Sequence, residues 1–189
     1  SPTLAKFCVV SSNSGAANRF ATSSDGTTWA TSTVPNTSQG WSAVEWSPMV
    51  GTFFVVSNTA SSNIGAYSTN GTSWTTQTVA ASTDSWTALH YNKQRNLLFA
   101  VGSASSGTLG RFVTSRNGTN DWITSSIPNI NYGSIVSNDS GQLVAGGVGV
   151  SSGRPMAYSN NAGITWTTIA VSTSSAYRPV WSPVLRQYV

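Results

Sequence analysis

An internal repeat constrains this chain more than any other feature. The stretch Trp46–Val56 recurs as Tyr91–Val101, more faintly as Val136–Gly146, and begins again at Trp181, so the first residues of the copies lie 45 apart. A second landmark, a Ser/Asn/Gly turn closed by an indole, returns at Trp29, Trp74, Trp122 and Trp166. Two independent landmarks in one register make chance similarity a poor explanation. A period of this size marks a chain built from stacked supersecondary units.

The second unit shows what each copy folds into. Residues 40–46 alternate around Trp41, Val44 and Trp46, as a strand does. Pro48 and Gly51 then make a turn, and residues 52–57 carry the continuous apolar run Phe53-Phe54-Val55-Val56, which fits a strand covered on both faces. A Ser/Asn/Gly loop leads to a third strand at 66–69. Asn70-Gly71 tolerates the positive φ of a tight hairpin, and the threonine-rich stretch 73–79 makes the fourth strand. No stretch has helical periodicity. A four-stranded sheet repeated at this interval predicts an all-β fold, a β-propeller of four-stranded blades, with four repeats and a partial fifth in residues 1–189. The expectation is one propeller domain belonging to a longer chain and a larger ring, the alternatives being a closed four-blade ring or identical chains assembled into one larger ring.

Composition agrees with that reading and narrows the function. Only 7% of the residues are charged, against roughly 25% in ordinary domains, so the surface is built from Ser, Thr, Asn and Gly. Eight tryptophans argue against disorder. One blade cannot bury both its faces, so the periodic aromatics are expected between blades. An indole removed from water contributes up to about 4–6 kcal/mol, and Trp29 and Trp74 are the expected mortar. A single cysteine, Cys8, and a single histidine, His90, exclude a disulfide framework and a cysteine- or histidine-rich metal site, and no cofactor motif is present. The net charge of +4 comes from scattered basic residues, without the stripe that nucleic acid requires. No run is long enough for a membrane helix, and the first residues carry no apolar leader segment.

The four indole-closed turns resemble Asp-boxes (BNR repeats), whose pattern is Ser-x-Asp-x-Gly-x-Thr-Trp. The copy from Ser159 to Trp166 has the spacing throughout, with Asn161 at the acid's place; the other copies carry Asp25 with Trp29, Asn70 with Trp74, and Asn117 with Trp122. Asp-boxes occur in sialidases and related propeller glycosidases, in sortilin-like receptors and in photosystem assembly factors. The resemblance implies a hairpin between the third and fourth strands of each blade, with the acid or amide binding backbone groups of the turn and the indole packing into the blade. It implies fold and leaves activity open, because the box is a structural device at the blade periphery.

Three groups of residues are candidates for a site. Glu45 and His90 share one repeat phase on first strands, which line the central channel of a propeller, so a carboxylate and an imidazole could meet there for acid–base work; the alternative is that each hydrogen-bonds locally between blades. Arg19 and Arg111 share a phase and Arg154 lies one position away; guanidinium forks suit carboxylates, and sialidases hold their substrate's carboxylate with three arginines, although no catalytic set of Tyr and Glu accompanies them here. Trp41, Trp86, Tyr132 and Tyr177 neighbour hydroxyl-rich loops and could stack on sugar rings, or else form core. Glycosylation sequons begin at Asn36, Asn70, Asn117 and Asn138, as many would by composition alone. The sequence therefore predicts a non-catalytic recognition or structural module. Its expected partners are surface carbohydrate, a host receptor or other chains of a larger assembly, on an extracellular or virion surface, since the composition resembles phage and viral fibre proteins. The alternatives are a sialidase-like glycoside hydrolase and a purely architectural part of a particle.

Overall fold

The computed structural model describes residues 1–13, 19–33, 36, 38–59, 64–80, 85–103, 110–148, 156–170 and 178–189. The described residues form strands and turns without a helix. They make five consecutive antiparallel sheets. The first comprises β1 (Phe7–Val10), β2 (Phe20–Ser23) and β3 (Ala30–Ser32); the second β4 (Trp41–Ser47), β5 (Thr52–Ser57), β6 (Ile64–Ser68) and β7 (Thr75–Thr78). The third comprises β8 (Ser85–Asn92), β9 (Leu97–Ser103), β10 (Gly110–Ser115) and β11 (Ile123–Ile127). The fourth comprises β12 (Tyr132–Ser137), β13 (Leu143–Gly147), β14 (Met156–Ser159) and β15 (Thr167–Ile169), and the fifth is the pair β16 (Trp181–Ser182) and β17 (Gln187–Tyr188). Within each sheet the strands pair in chain order. The first sheet holds the equivalents of strands two to four of the repeat, and the fifth holds those of strands one and two.

The second strand runs from Thr52 to Ser57 as the apolar run predicts, and all six of its residues are buried. The third begins two residues earlier than expected, at Ile64, and the fourth only at Thr75. The delay has a local cause: the Asn70 side chain still holds the amide of Ser73 at 2.8 Å, so that residue belongs to the turn. The turn joining first to second strands also repeats. Ala5, Gly51, Asn96, Gly141 and Arg186 occupy its same place, all with φ between 47° and 80°. Three of these residues carry a Cβ into the left-handed region, which shows how firmly the repeat dictates that turn.

The core is a series of seams between successive sheets. Phe20 of the first sheet meets Trp41, Val55 and Ala66 of the second. On the opposite face, Val56 meets Trp86, Ala100 and Val113 of the third. Phe99, Val101 and Phe112 then meet Tyr132, Leu143, Ala145 and Ala157 of the fourth. Adjacent residues of a strand point to opposite faces, so Val55 and Val56 feed different seams. That is why the second strand reads as unbroken apolar sequence.

The aromatics divide differently from the expectation. Trp41, Trp86 and Tyr132, at the start of the first strands, are completely buried and fill the seams. The turn indoles sit at the rim: Trp29 is 40% exposed, while Trp74 and Trp166 are half-buried and meet Phe20 and Phe112 of the preceding sheets at ring-centroid distances of 4.5 and 5.0 Å. Three of the four turn indoles are drawn back to their own turns, since Trp29, Trp74 and Trp166 donate Nε1–H to the carbonyls of Gly26, Gly71 and Gly163, whereas Trp122 Nε1–H has no partner among the described residues. Main mortar and rim cap are thus separate residues.

The stability costs follow that division. Trp86→Ala should destabilise by about 3–5 kcal/mol, as emptying a large buried site does. Trp86→Phe should cost clearly less than Trp86→Ala, because a ring still fills much of the site and the Trp86 Nε1–H has no partner among the described residues to lose. Trp29→Ala should cost about 1 kcal/mol or less. Denaturant unfolding of the three variants checks the order.

Candidate functional site

The first strands β4, β8 and β12 lie side by side, and their polar groups are the natural place for a central site. A hydroxyl follows the buried aromatic in two of them. Ser42 Oγ lies 2.6 Å from the carbonyl oxygen of Trp86 and 3.1 Å from that of Val56. Thr87 Oγ1 reproduces both distances to Tyr132 and Val101. Each hydroxyl has one proton to give, and the shorter contact crosses the seam, so the bond ties one sheet to the next. A backbone irregularity, between Trp41 and Ala43 and again between Trp86 and Ala88, turns the hydroxyl toward its neighbour. In β12 the position is Gly133, and a Cβ there would collide with the Val148 side chain.

His90 enters the same kind of seam. Its Nε2 accepts the backbone N–H of Ser137 at 3.1 Å and lies 2.7 Å from Ser137 Oγ, which in turn accepts from the Asn92 amide at 2.7 Å. The amide of Asn92 also reaches the Asn138 carbonyl at 3.0 Å. An Nε2 that accepts a backbone proton is unprotonated, which assigns the neutral Nδ1–H tautomer. Burial supports that state and lowers the imidazole to about 4. Glu45, at the equivalent place in β4, lines a groove of about 280 Å3 with Cys8, Trp46 and Phe53. Burial raises its carboxyl to about 7, against a smaller opposing pull from the α-amino group of Ser1. Among the described residues no hydrogen bond joins Glu45 to His90.

Of the candidate arginines, Arg19 lies beside the first sheet and Arg111 in the third. Arg19 is 4% exposed, and its guanidinium donates to the carbonyls of Asn13 at 2.8 Å and Asn36 at 3.0 Å. Arg111 is half-buried in the third sheet, on β10 between the partners Gly102 and Ser126. Arg154 and Tyr177 lie outside the described residues. Trp41, Trp86 and Tyr132 are buried on all sides, with the Tyr132 hydroxyl on the Pro128 carbonyl at 2.9 Å, and offer no open ring face for stacking on a sugar.

The four indole-closed turns join third to fourth strands and share one hydrogen-bond plan. Asp25 Oδ1 accepts the amides of Thr27 and Thr28 at 2.8 and 2.7 Å, and Asn70 does the same for Thr72 and Ser73 at 2.8 Å each. These amides hold the Asp25 carboxyl far below the ordinary range. Asn161 accepts the amide of Thr165 at 2.9 Å, and in all four turns a serine hydroxyl (Ser23, Ser68, Ser115, Ser159) accepts the amide of the glycine. The third turn departs from the plan. Asn117 keeps the amide of Thr119, while Asp121, one residue before Trp122, binds Ser115 Oγ and the amides of Arg116 and Asn117. The acid has moved to a new position, and sequence reasoning did not assign it a role. Ser42, Thr87, Asn92 and Ser137 were also missed; the recurrence of a hydroxyl after Trp41 and Trp86 was the available signal.

The sequence matches no protein-family model and no curated protein. Solved structures resemble the fold. A GH74 enzyme from Niastella koreensis superposes with a TM-score of 0.65 and 19% identity over 86% of this chain and 29% of that one. A chain of a nidogen/laminin complex superposes with a TM-score of 0.65 and 10% identity over 97% and 68%. A hydrazine synthase chain from Kuenenia stuttgartiensis gives 0.67 and 14% over 87% and 47%. The chain thus spans less than a third of the first of these and about half of the last. With its four-stranded antiparallel sheets, repeated seams and propeller neighbours, the protein is a β-propeller of four repeats and a partial fifth.

Two predictions follow from the seam groups. Thr87→Val should cost about 1–2 kcal/mol and Thr87→Ser close to nothing in denaturant unfolding, because only the hydroxyl is at stake. The pH dependence has two opposed parts. His90 is neutral when folded, so its contribution is complete above its unfolded value of 6.5 and is lost as pH falls toward about 4. Glu45 is held protonated, so its contribution is complete below 4.5 and is lost as pH rises toward about 7. Melting temperatures across pH 4–8 should therefore lose their acid-side decline in His90→Gln and their neutral-side decline in Glu45→Gln.

Proposed function

We propose that this propeller is a non-catalytic recognition module, whose inner strands serve as scaffold and whose rims and loops meet a partner. The observation that carries the reading is the commitment of four inner-strand polar groups to the seams, with Glu45 in its own groove and apart from them. Ser42, Thr87, His90 and Asn92 all bond across to the next sheet, which leaves no free nucleophile–base pair among them. The indole-closed turns act in this reading as Asp-box pins, supported by their shared bonds from acid or amide to turn backbone. A charge-poor, hydroxyl-rich exterior suits contact with a partner on an extracellular or virion surface, either glycan or protein. With Trp41, Trp86 and Tyr132 buried, a glycan would be held by loop hydroxyls and amides rather than by ring stacking.

Two assays on the same preparation test this. Binding to an array of glycans and immobilised surface proteins, without product release from fluorogenic sialosides, is the expected result. Release of product, abolished by Arg154→Ala, would overturn it in favour of a hydrolase. Binding to nothing on the array would overturn it in favour of a purely architectural part.

A further inference from the structure

A groove of about 340 Å3 opens at the rim between the third sheet and the outer turn of the fourth. Its lining departs from the protein's own repeat in a concerted way. Strand pairing aligns Thr114 with Tyr67 and Tyr158 of the two neighbouring sheets and with Thr22 of the first, so the third sheet has a hydroxyethyl group where its neighbours carry a phenol ring. The same pairing aligns Ile123 with Thr75 and Thr167. Ile164, which follows the turn glycine, stands where the other turns have Thr27, Thr72 and Thr119. The first change opens space, and the other two make its walls aliphatic. Ile123 and Ile164 are 65% and 74% exposed, although large aliphatic side chains gain by leaving water.

Charge departs in the same place. Arg95 stands where the equivalent turns carry Leu4, Val50, Ser140 and Leu185, and Arg116 where the other boxes carry Ser24, Thr69 and Asn160. Both line the groove. Arg95 is oriented by Nε and Nη2 donating to the Ser140 carbonyl at 3.3 and 2.9 Å, which leaves Nη1 for a ligand. The Arg116 guanidinium has no hydrogen-bond partner among the described residues. Asp121 is the one acid in the lining, and its oxygens are turned to Ser115 and to the amides of Arg116 and Asn117. Two guanidinium groups against one engaged carboxylate leave the groove net positive.

We propose that this groove binds an acidic–aliphatic peptide segment of a partner protein, a carboxylate lying on Arg95 and Arg116 with the adjacent aliphatic side chain between Ile123 and Ile164. Four positions that break the repeat, Arg95, Arg116, Ile123 and Ile164, converge on one cavity that the small Thr114 leaves open, and together they supply both halves of that chemistry. The aliphatic half of the lining, Ile123 and Ile164, offers a sugar's hydroxyls no partners and suits an aliphatic side chain instead. The proposal rests on the recognition reading and names its partner. Its failure is separable, because array binding at another surface would leave that reading intact.

The test is a titration of the isotope-labelled protein, followed by amide chemical shifts, with acetyl-glutamyl-leucine amide, its glutaminyl counterpart and glucuronic acid as probes. The expected result is saturable shifts confined to Leu97, Ile123, Asn161 and Ile164 with the glutamyl peptide. Binding should weaken about fivefold or more in the Arg95→Gln/Arg116→Gln variant. It should vanish in Thr114→Tyr, which installs the ring native to the neighbouring sheets and should leave the remaining spectrum unchanged. Equal binding of the glutaminyl peptide, insensitivity to Thr114→Tyr, or no saturable shift would overturn the proposal. Glucuronic acid saturating the same groove would overturn the assignment to peptide.

Discussion

The second and third sheets of this protein are covered on both faces, by the sheets before and after them, and the rest of the architecture follows from that arrangement. A lone four-stranded sheet with an apolar second strand would expose one side of Phe53, Phe54, Val55 and Val56 whichever way it turned. Packing the repeats face to face removes both sides from water. The hydrophobic term therefore acts between repeats more than within them. Trp41, Trp86 and Tyr132 mark the depth of each seam, and Phe20 and Phe112 receive the rim indoles that close it from outside.

A chain with so few charges must satisfy buried polarity by neutral means. Hydroxyls and amides carry it: Ser42 and Thr87 tie neighbouring sheets through carbonyls, Asn92 gathers Ser137 and Asn138, and His90 serves as a neutral acceptor. Neutral hydrogen bonds cost less desolvation than ion pairs would in the same seams. The price is a fixed tautomer at His90 and a carboxyl at Glu45 that burial keeps from ionising freely.

Much of the fold was legible because the repeat writes it more than once. The strand at 52–57 was readable to the residue, since continuous apolar character has one meaning in a two-sided sheet. The division of labour among the tryptophans was not. Trp29 and Trp41 are equally periodic, and periodicity alone cannot tell a seam centre from a rim; depth is set by which strand of the sheet a residue occupies. The same ambiguity made Trp41, Trp86 and Tyr132 readable as exposed ring platforms. Glu45 and His90 were correctly paired by phase, yet phase does not imply proximity, because equivalent positions sit on different sheets. The groove beside Thr114 was hidden for another reason. The turn serines fall at 23, 68, 115 and 159, an uneven spacing set by the connections between second and third strands, so the departures from the repeat align only once strand pairing gives the register.

The three apolar clusters have separate memberships, and each belongs to one junction between neighbours. A molecule assembled in this way can vary locally without renegotiating its whole interior. Change confined to one junction's margin perturbs two neighbours and leaves distant ones at their original energy. Such decoupling gives a repetitive scaffold a route to individuality, as identical modules drift apart one boundary at a time while the array they belong to stays intact.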